Sequence, residues 1–188
     1  MTIHSMSGVM YRCCPGVYEP AEDTEMMLQA PEVMGPILEV GCGTGVVSIY
    51  HALRGLSVTA TDINPVAIEC ARRNAELNGV CIDLVLTDLF PDGRFRTVLF
   101  NPPYLPAEEW EPPEWNGGSD GLVVVRRFLE RLPEHLMKGG QAYIILSDLS
   151  PREELFSRFD RYEFTEVSRR VFEFEAIFLY VVRVDGEH

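Results

Sequence analysis

The sequence predicts an α/β fold in which a seven-stranded, mostly parallel sheet carries helices on both faces and ends in an antiparallel strand. Short apolar stretches alternate with longer stretches of helical pattern from residue 37 onward. A glycine-rich turn joins the first of these strands to a helix, as in open α/β sheets that bind ligands. The final connection, Val171 to Glu173, is too short for a crossover, so the last strand must reverse its direction.

The predicted strands are short apolar runs bounded by glycine, proline, asparagine or charged residues. In chain order they are Ile37–Val40, Ser57–Thr61, Ile82–Leu86, Thr97–Phe100, Gln141–Leu146, Glu163–Arg169 and Phe174–Arg183. Parallel neighbours need crossover connections, and the helical segments between these runs supply them.

The predicted helices have recognisable start and stop signals. In chain order they are Glu25–Leu28 capped by Asp23 and Thr24, a helix from Val46, Pro65 to about Leu77, about Leu122 to Met137, and Pro151–Phe159. Asn78-Gly79 ends the third helix, and Lys138-Gly139-Gly140 is a typical end for the fourth. Pro133 is expected to kink or split that fourth helix, and the residues before Asp23 are expected to be irregular.

Length and composition indicate a soluble domain of ordinary kind. The 188 residues predict a single domain, 1–188, with 1–36 as a segment covering a ligand pocket and 37–188 as the core. No apolar run approaches the ~20 residues of a membrane span, and no signal peptide is recognisable, so a cytoplasmic location is expected. The five cysteines lack paired spacing, which predicts free thiols and no metal site.

The charge balance makes nucleic acid an unfavourable partner. The formal net charge is −13, and an acidic surface repels phosphate backbones. Arg72-Arg73 or Arg126-Arg127 could still form a local basic patch, although arginine pairs on helices usually belong to solvated faces.

The segment Glu39-Val40-Gly41-Cys42-Gly43-Thr44-Gly45 has the pattern of a ligand-binding turn. Glycines between a strand and a helix let a ligand approach the backbone, and Asp62, at the end of the next strand, is suited to bind ribose hydroxyls. A tight turn with Asp62 as a helix cap is the structural alternative. The G-x-G-x-G spacing resembles the glycine loop of class I S-adenosylmethionine methyltransferases.

That resemblance implies a Rossmann-like methyltransferase fold and a set of cofactor contacts. Glu39 and the loop would hold the methionine end of S-adenosylmethionine, Asp62 the ribose, and Asp88 the adenine, with S-adenosylhomocysteine as product. An aspartate before a turn is also an ordinary feature, so Asp88 has a second interpretation. The cofactor-binding residues implied in full are Thr24, Glu39, Gly41, Cys42, Gly43, Gly45, Asp62, Ile63, Asp88, Leu89 and Asn101.

The tetrapeptide Asn101-Pro102-Pro103-Tyr104 follows the fourth predicted strand, at the edge where open α/β sheets bind ligands. The side-chain carbonyl of Asn101 and the main-chain carbonyl of Pro102 can accept both N–H bonds of a planar NH₂ group. Tyr104 offers an aromatic face against which the acceptor stacks, and the prolines stiffen the loop. We therefore predict nitrogen methylation with Asn101, Pro102 and Tyr104 as catalytic residues; a structural proline-rich loop is the alternative.

Two further segments narrow the resemblance. Val17 to Thr24 and Trp115 to Gly121 look like the HemK-type protein glutamine N5-methyltransferases, in particular their short archaeal and eukaryotic branch. That branch modifies the Gly-Gly-Gln glutamine of class I translation release factors. By resemblance, Tyr18, Glu22, Asn101, Pro102, Pro103 and Tyr104 would bind the substrate. Asp23 and Thr24 as helix caps, and Gly117-Gly118 as a plain surface loop, are the structural alternatives.

The short branch also works with a small zinc-binding activator protein, which pairs with the third strand. In the implied strand order 3-2-1-4-5-7-6, Cys81 to Leu86 would form an exposed apolar edge that invites pairing. A helix or a second copy of the chain could cover that edge instead. Two other functions stay open: a methyltransferase for adenine or guanine amino groups of DNA or RNA, and a non-catalytic cofactor-binding scaffold.

Overall fold

The structure, a computed structural model, describes residues 2–103 and 120–184. Its strands are β1 (His4–Met6), β2 (Val9–Tyr11), β3 (Ile37–Val40), β4 (Val58–Asp62), β5 (Asp83–Leu86), β6 (Phe95–Phe100), β7 (Leu136–Ser147), β8 (Tyr162–Val171) and β9 (Ala176–Val184). Its helices are α1 (Glu22–Leu28), α2 (Val46–Ala52), α3 (Pro65–Asn78), α4 (Val123–His135) and α5 (Arg152–Arg158).

Seven of these strands form one sheet in the order β5-β4-β3-β6-β7-β9-β8. The pairs from β5 to β7 are parallel, whereas β9 is antiparallel to both β7 and β8. Counted from the first strand of this sheet, the order is 3-2-1-4-5-7-6, so the predicted fold class and the antiparallel last strand are confirmed.

The central strands are apolar on both faces because helices cover both sides of the sheet. Alternate residues of β9 enter two different cores, with Phe178, Tyr180 and Val182 on one side and Leu179 and Val181 on the other. The first core also receives side chains of α4 and α5, and the second receives those of α1, α2 and the β1–β2 hairpin. The sheet is therefore the middle layer of three.

Helix α3 begins and ends where its sequence predicts. The Asn64 side chain accepts a hydrogen bond from Val66 N at 2.9 Å, and Pro65 occupies the first helical position. Gly79 ends the helix in the left-handed conformation with φ of 67°. These caps fix the orientation of the connection after β4, where Asp62 lies.

Two predictions for the N-terminal region need correction. The residues before Asp23 are not wholly irregular, because β1 and β2 pair as an antiparallel hairpin. Asn78 and Asn74 of α3 hold this hairpin and the chain after it through Met10 and Arg12. Ala21, rather than Asp23 or Thr24, occupies the N-cap position of α1, which begins at Glu22, but Thr24 does take part in the cap because its hydroxyl accepts a hydrogen bond from Ala21 N at 3.3 Å.

The predicted fourth helix is too long. Pro133 lies in its last turn and does not split it, since α4 is a single helix that ends at His135. Residues 136–140 belong to β7, whose pairing with β6 shifts register between Phe95 and Thr97. A glycine at 140 is required there, because a Cβ atom would lie 2.8 Å from the carbonyl oxygen of Met137.

The cysteine prediction is corrected for two of the five thiols. Cys14, in the segment after β2, forms a disulfide with Cys70 of α3 across 56 residues of sequence. Cys13, Cys42 and Cys81 are free. The pair escapes notice in the sequence because only the folding of the N-terminal segment against α3 brings the two thiols together.

Among the described residues, there is neither a membrane-spanning helix nor a group of metal ligands. No helix within them has the length and apolar character that a membrane crossing requires. Within 2–103 and 120–184, no three His, Cys, Asp or Glu side chains are grouped so that they could hold a metal ion.

Candidate active site

A cavity of about 580 Å³ opens at the carboxyl edge of the parallel strands. Such an edge is where open α/β sheets bind ligands, and the volume is in the usual range for a small-molecule site. The ends of β3, β4 and β6 form its floor, and the chain from Gly16 to Thr24 forms one wall. The site residues predicted from the sequence that line it are Tyr18, Glu22, Thr24, Glu39, Gly41, Cys42, Gly43, Asp62, Ile63, Asp88, Leu89, Asn101, Pro102 and Pro103.

The glycine loop between β3 and α2 is the central part of the floor. Gly43 has φ of 53°, and its backbone N–H donates to Oδ2 of Asp62 at 2.9 Å. Gly45 is a predicted site residue that does not line the cavity. It has φ of 80°, and a Cβ atom there would lie 2.9 Å from Cβ of Ala71. Its function in this structure is therefore the close packing of the loop against α3.

Glu39 lies at the start of this loop and is almost fully buried. Its Oε2 atom accepts hydrogen bonds from Ser48 N, at 2.9 Å, and from the Ser48 hydroxyl. Burial raises the pKa of Glu39 to about 8, the hydrogen bonds from Ser48 oppose the rise, and the nearby charge of Asp62 adds to it. The carboxyl is thus poised to become a carboxylate when a cation lies beside it.

Two aspartates bound the far side of the cavity. Asp62, at the end of β4, accepts hydrogen bonds from Gly43 N and Asn64 N, each at 2.9 Å. Asp88 forms an ion pair with Arg127 of α4, and Arg127 also lines the cavity. Leu89, next to Asp88, has φ of 67° and is held by a hydrogen bond from the Thr61 hydroxyl to its carbonyl oxygen. Both carboxylates face the ligand space from fixed backbone positions.

Asn101 follows β6, and its side-chain amide has a defined orientation. Its Nδ2 atom donates to Oδ2 of Asp23 at 2.9 Å. Its Oδ1 atom is buried and has no hydrogen-bond partner among the described residues. A buried carbonyl oxygen without a donor is costly, and such an atom in a ligand cavity indicates a donor supplied by the ligand.

Tyr18 bonds to the same oxygen of Asp23 from the opposite wall. Its hydroxyl donates to Oδ2 at 2.9 Å. Burial and the Asp23 carboxylate raise the pKa of the Tyr18 hydroxyl, so it remains a donor at neutral pH. One carboxylate thus connects the wall of the cavity to Asn101.

Some predicted site residues lie at the edge of this arrangement or outside it. Glu22 and Ile63 line the cavity but are exposed, whereas Thr24 is buried. Tyr104 and the segment 115–119 lie outside the described residues.

Sequence reasoning missed several cavity residues. Asp23 was interpreted only as a helix cap, although its position beside Tyr18, Glu22 and Thr24 was a usable signal. Phe172 and Glu175 come from the β8–β9 connection, and Arg127 comes from α4. No local motif marks these three, because only the order of the strands brings them to the cavity.

A seven-stranded sheet of this order, with a glycine loop, an acidic residue after each of the next two strands and Asn-Pro-Pro after β6, defines a Rossmann-like methyltransferase. The family model described as "Methyltransferase small domain" matches residues 22–171. The chain belongs to this family and, within it, to the HemK-type methyltransferases.

The relatives include proteins named for different substrates. A Methanocaldococcus jannaschii protein, provisionally named a protein N5-glutamine methyltransferase, is 38% identical over 181 residues, covering 90% of this chain and 92% of the relative. Methyltransferase HEMK2 of Mus musculus is 36% identical over 167 residues, covering 74% and 76%. Ribosomal RNA small subunit methyltransferase C of Aeromonas hydrophila is 32% identical over 139 residues, covering 70% of this chain but 38% of that protein.

A solved structure has the same architecture. It is the E. cuniculi Mtq2–Trm112 complex, described as responsible for methylation of the eRF1 translation termination factor. The matched chain superposes with a TM-score of 0.72 at 26% identity, covering 90% of this chain and 99% of the other.

Proposed function

We propose that this methyltransferase transfers a methyl group from S-adenosylmethionine to the side-chain amide nitrogen of the Gly-Gly-Gln glutamine of a class I translation release factor. The observation that carries the proposal is the Oδ1 atom of Asn101, which is buried and has no donor among residues 2–103 and 120–184, while its Nδ2 atom is held by Asp23. An acceptor NH₂ group supplies the missing donor. The main-chain carbonyl of Pro102 accepts the second N–H bond of that group.

An amide nitrogen is a poor nucleophile because its lone pair is delocalised into the carbonyl group. Two fixed acceptors hold the NH₂ group in line for attack and stabilise the positive charge that develops on nitrogen as the N–C bond forms and the C–S bond breaks. The nitrogen then loses one of its two protons to water. The amide of Asn101 needs no reorganisation during this step, since Asp23 already sets its orientation. The part proposed for Tyr104, which lies outside the described residues, is to stack against the acceptor.

The cavity residues fit the cofactor. S-adenosylmethionine supplies an activated methyl group on a sulfonium. Glu39 is placed to meet its ammonium group, Asp62 its ribose hydroxyls, and Asp88 with Leu89 its adenine. An ammonium group beside Glu39 would favour the ionised carboxylate and offset the burial that raises its pKa to about 8.

A protein acceptor is supported by charge as well as by the relatives. The two arginine pairs that could form a basic patch are largely engaged with carboxylates. Arg72 and Arg73 lie beside Glu69 at 3.4 Å and 2.8 Å. Arg126 pairs with Asp120, and Arg127 pairs with Asp88. With a net charge of −13, these residues give little surface for a phosphate backbone.

The second candidate is an exocyclic amine of a nucleobase. The same two carbonyl oxygens can hold the amino group of adenine or guanine, and one relative is named as a ribosomal RNA methyltransferase. This chain spans 38% of that relative, so most of the relative lies outside the match.

A methyl-transfer assay decides between the two acceptors. Labelled S-adenosylmethionine is offered with a class I release factor, with the same factor carrying glutamate in place of the Gly-Gly-Gln glutamine, and with ribosomal RNA. We expect label only in the unaltered release factor, and a loss of about 10²-fold or more in turnover for Asn101→Ala with cofactor binding retained. Label only in RNA would establish the nucleobase candidate, and no label in any acceptor, with the activator proposed below also present, would contradict both.

We further propose that the chain works as a heterodimer with a small zinc-binding activator. Strand β5 lies at one end of the sheet and, within the part of the chain that the structure describes, pairs only with β4. Leu86 is 56% exposed on this strand, and Leu84 and Val85 are half-buried. An open apolar edge of this kind binds an added strand, and the E. cuniculi relative is described in complex with Trm112. A fully soluble and active monomer of this chain would contradict the proposal.

The single-domain organisation over 1–188 and the cytoplasmic location remain part of the same proposal. Release factors act on cytoplasmic ribosomes, so a cytoplasmic enzyme would meet its acceptor there.

A further inference from the structure

We infer that Asp23 is a positioning residue for methyl transfer, because it decides which atom of the Asn101 amide faces the acceptor. This inference rests on the proposed function and adds to it a residue to which the sequence motifs gave no part in methyl transfer. Asp23 lies in the first turn of α1 and is 3% exposed. It is 78 residues away from Asn101 in sequence.

The two oxygens of Asp23 have different partners. Oδ1 accepts the backbone N–H of Thr24 at 2.6 Å and lies 3.3 Å from the Thr24 hydroxyl. Oδ2 accepts Nδ2 of Asn101 and the hydroxyl of Tyr18, each at 2.9 Å. Because a backbone N–H can only donate, the position of Oδ1 beside Thr24 N must be filled by an acceptor atom, whether residue 23 is aspartate or asparagine.

The consequence for Asn101 is a choice between two amide orientations. The amide presents its NH₂ to one side and its oxygen to the other. An acceptor atom at Oδ2 of Asp23 attracts the NH₂ side, so the oxygen is left to face the cavity. That orientation is the one that can accept an N–H bond from a substrate.

Asp23→Asn tests this inference with almost no change of shape. Thr24 N keeps the asparagine oxygen on its own side, so the new NH₂ group points at Asn101. Two NH₂ groups then face each other, and the Asn101 amide must rotate to relieve the conflict. Its own NH₂ would then face the NH₂ of the acceptor. We expect turnover to fall about 10²-fold, with cofactor affinity and melting temperature close to those of wild type.

A second substitution should restore the polarity. In the double variant Asp23→Asn/Asn101→Asp, residue 101 accepts from the new NH₂ group with one oxygen and keeps the other toward the acceptor. The single variant Asn101→Asp instead places two carboxylate oxygens at the contact now bridged at 2.9 Å. We expect the double variant to turn over roughly 10-fold faster than either single variant. A purely structural role for Asp23 predicts that the two losses multiply.

The matched control is Glu25→Gln, which removes one negative charge from the same helix. Glu25 forms an ion pair with Arg170 at 2.8 Å on the surface. Its turnover should equal that of wild type. If Glu25→Gln lowers turnover as much as Asp23→Asn does, the effect is one of helix charge and the inference is overturned.

A measurement without any acceptor separates this inference from the substrate assignment. In wild type, the Nδ2 atom of Asn101 and the Tyr18 hydroxyl both donate to the same oxygen of Asp23, so we expect nuclear Overhauser contacts between the Nδ2 protons and the Tyr18 ring. We expect Asp23→Asn to lose these contacts. If they persist in that variant, the Asn101 amide has not rotated and the inference fails, whichever acceptor the wild type methylates.

Discussion

Glu39 is an acidic side chain enclosed between the glycine loop and α2, and its burial raises its pKa from 4.5 to about 8. Between these values the native state holds a proton that the unfolded state has released. The free energy of unfolding must therefore fall as the pH rises through this interval. At lower pH Glu39 is protonated in both states, so its ionisation does not change the free energy of unfolding there.

Replacement of Glu39 by glutamine should remove this pH dependence. The amide has nearly the same shape, keeps an acceptor for Ser48 and cannot ionise. We expect the stability of the variant relative to wild type to increase by a few kcal/mol as the pH rises from about 4.5 to about 8. Urea unfolding of both proteins without cofactor across that interval measures the difference. Parallel pH profiles for the two proteins would show that Glu39 keeps an ordinary pKa.

At the scale of single residues, the sequence was sufficient to predict a site residue where that residue lies at or next to the end of a strand. Glu39, Asp62 and Asn101 each occupy the last residue of a strand or the residue next to its end, and all three line the cavity. Asp23 was not recognised, because its function depends on a contact with Asn101 that only the fold creates.

The segment between β2 and α1 is an element whose position depends on cross-links rather than on regular structure. Cys14 is joined to Cys70 of α3, and Asn64 donates to the carbonyl oxygen of Gly16 at 3.1 Å. Gly16, Val17 and Tyr18 follow directly and line the cavity. The disulfide therefore fixes the wall from which Tyr18 reaches Asp23.

Removal of this disulfide should destabilise the protein, because the unfolded chain without the cross-link has a higher conformational entropy. With a sequence separation of 56 between the cysteines, Cys14→Ser is expected to lower the free energy of unfolding by ~2–4 kcal/mol. Chemical denaturation measures the loss, and a reductant should reproduce it in wild type but not in the variant. Cys81→Ser is the control, since Cys81 is free and exposed. Equal stability of Cys14→Ser and Cys81→Ser would contradict the role of the disulfide.

At the scale of elements, the strands and helices with strong local signals were predicted within a few residues. The predicted start of α3 agrees with the structure because Asn64 and Pro65 are local signals. The β1–β2 hairpin was missed, since its strands have only 3 residues each and gain their stability from packing on α2 and α3. Residues 136–140 were assigned to a helix because a glycine pair is also a common helix end, whereas pairing with β6 makes them part of β7.

For the whole molecule, the alternation of strands and helices was enough to predict a mostly parallel sheet with helices on both faces, whereas its strand order followed from the family resemblance. Both faces of the central strands are apolar, and the short β8–β9 connection forces the antiparallel end. The disulfide could not be predicted in the same way, because spacing says nothing about which thiols meet in space. The activator at β5 stays a prediction at this scale, since an open edge indicates a partner without identifying it.

The proposed methyl transfer depends most on the geometry at Asn101 and Pro102. A crystal structure of the chain with S-adenosylhomocysteine and a Gly-Gly-Gln peptide tests this geometry directly. We predict that the glutamine NH₂ nitrogen lies within ~3.2 Å of both Oδ1 of Asn101 and the carbonyl oxygen of Pro102. The sulfur of S-adenosylhomocysteine should lie on the side of that nitrogen from which the methyl group is transferred. A glutamine bound elsewhere in the cavity, or an Asn101 amide whose NH₂ faces the peptide, would contradict the account.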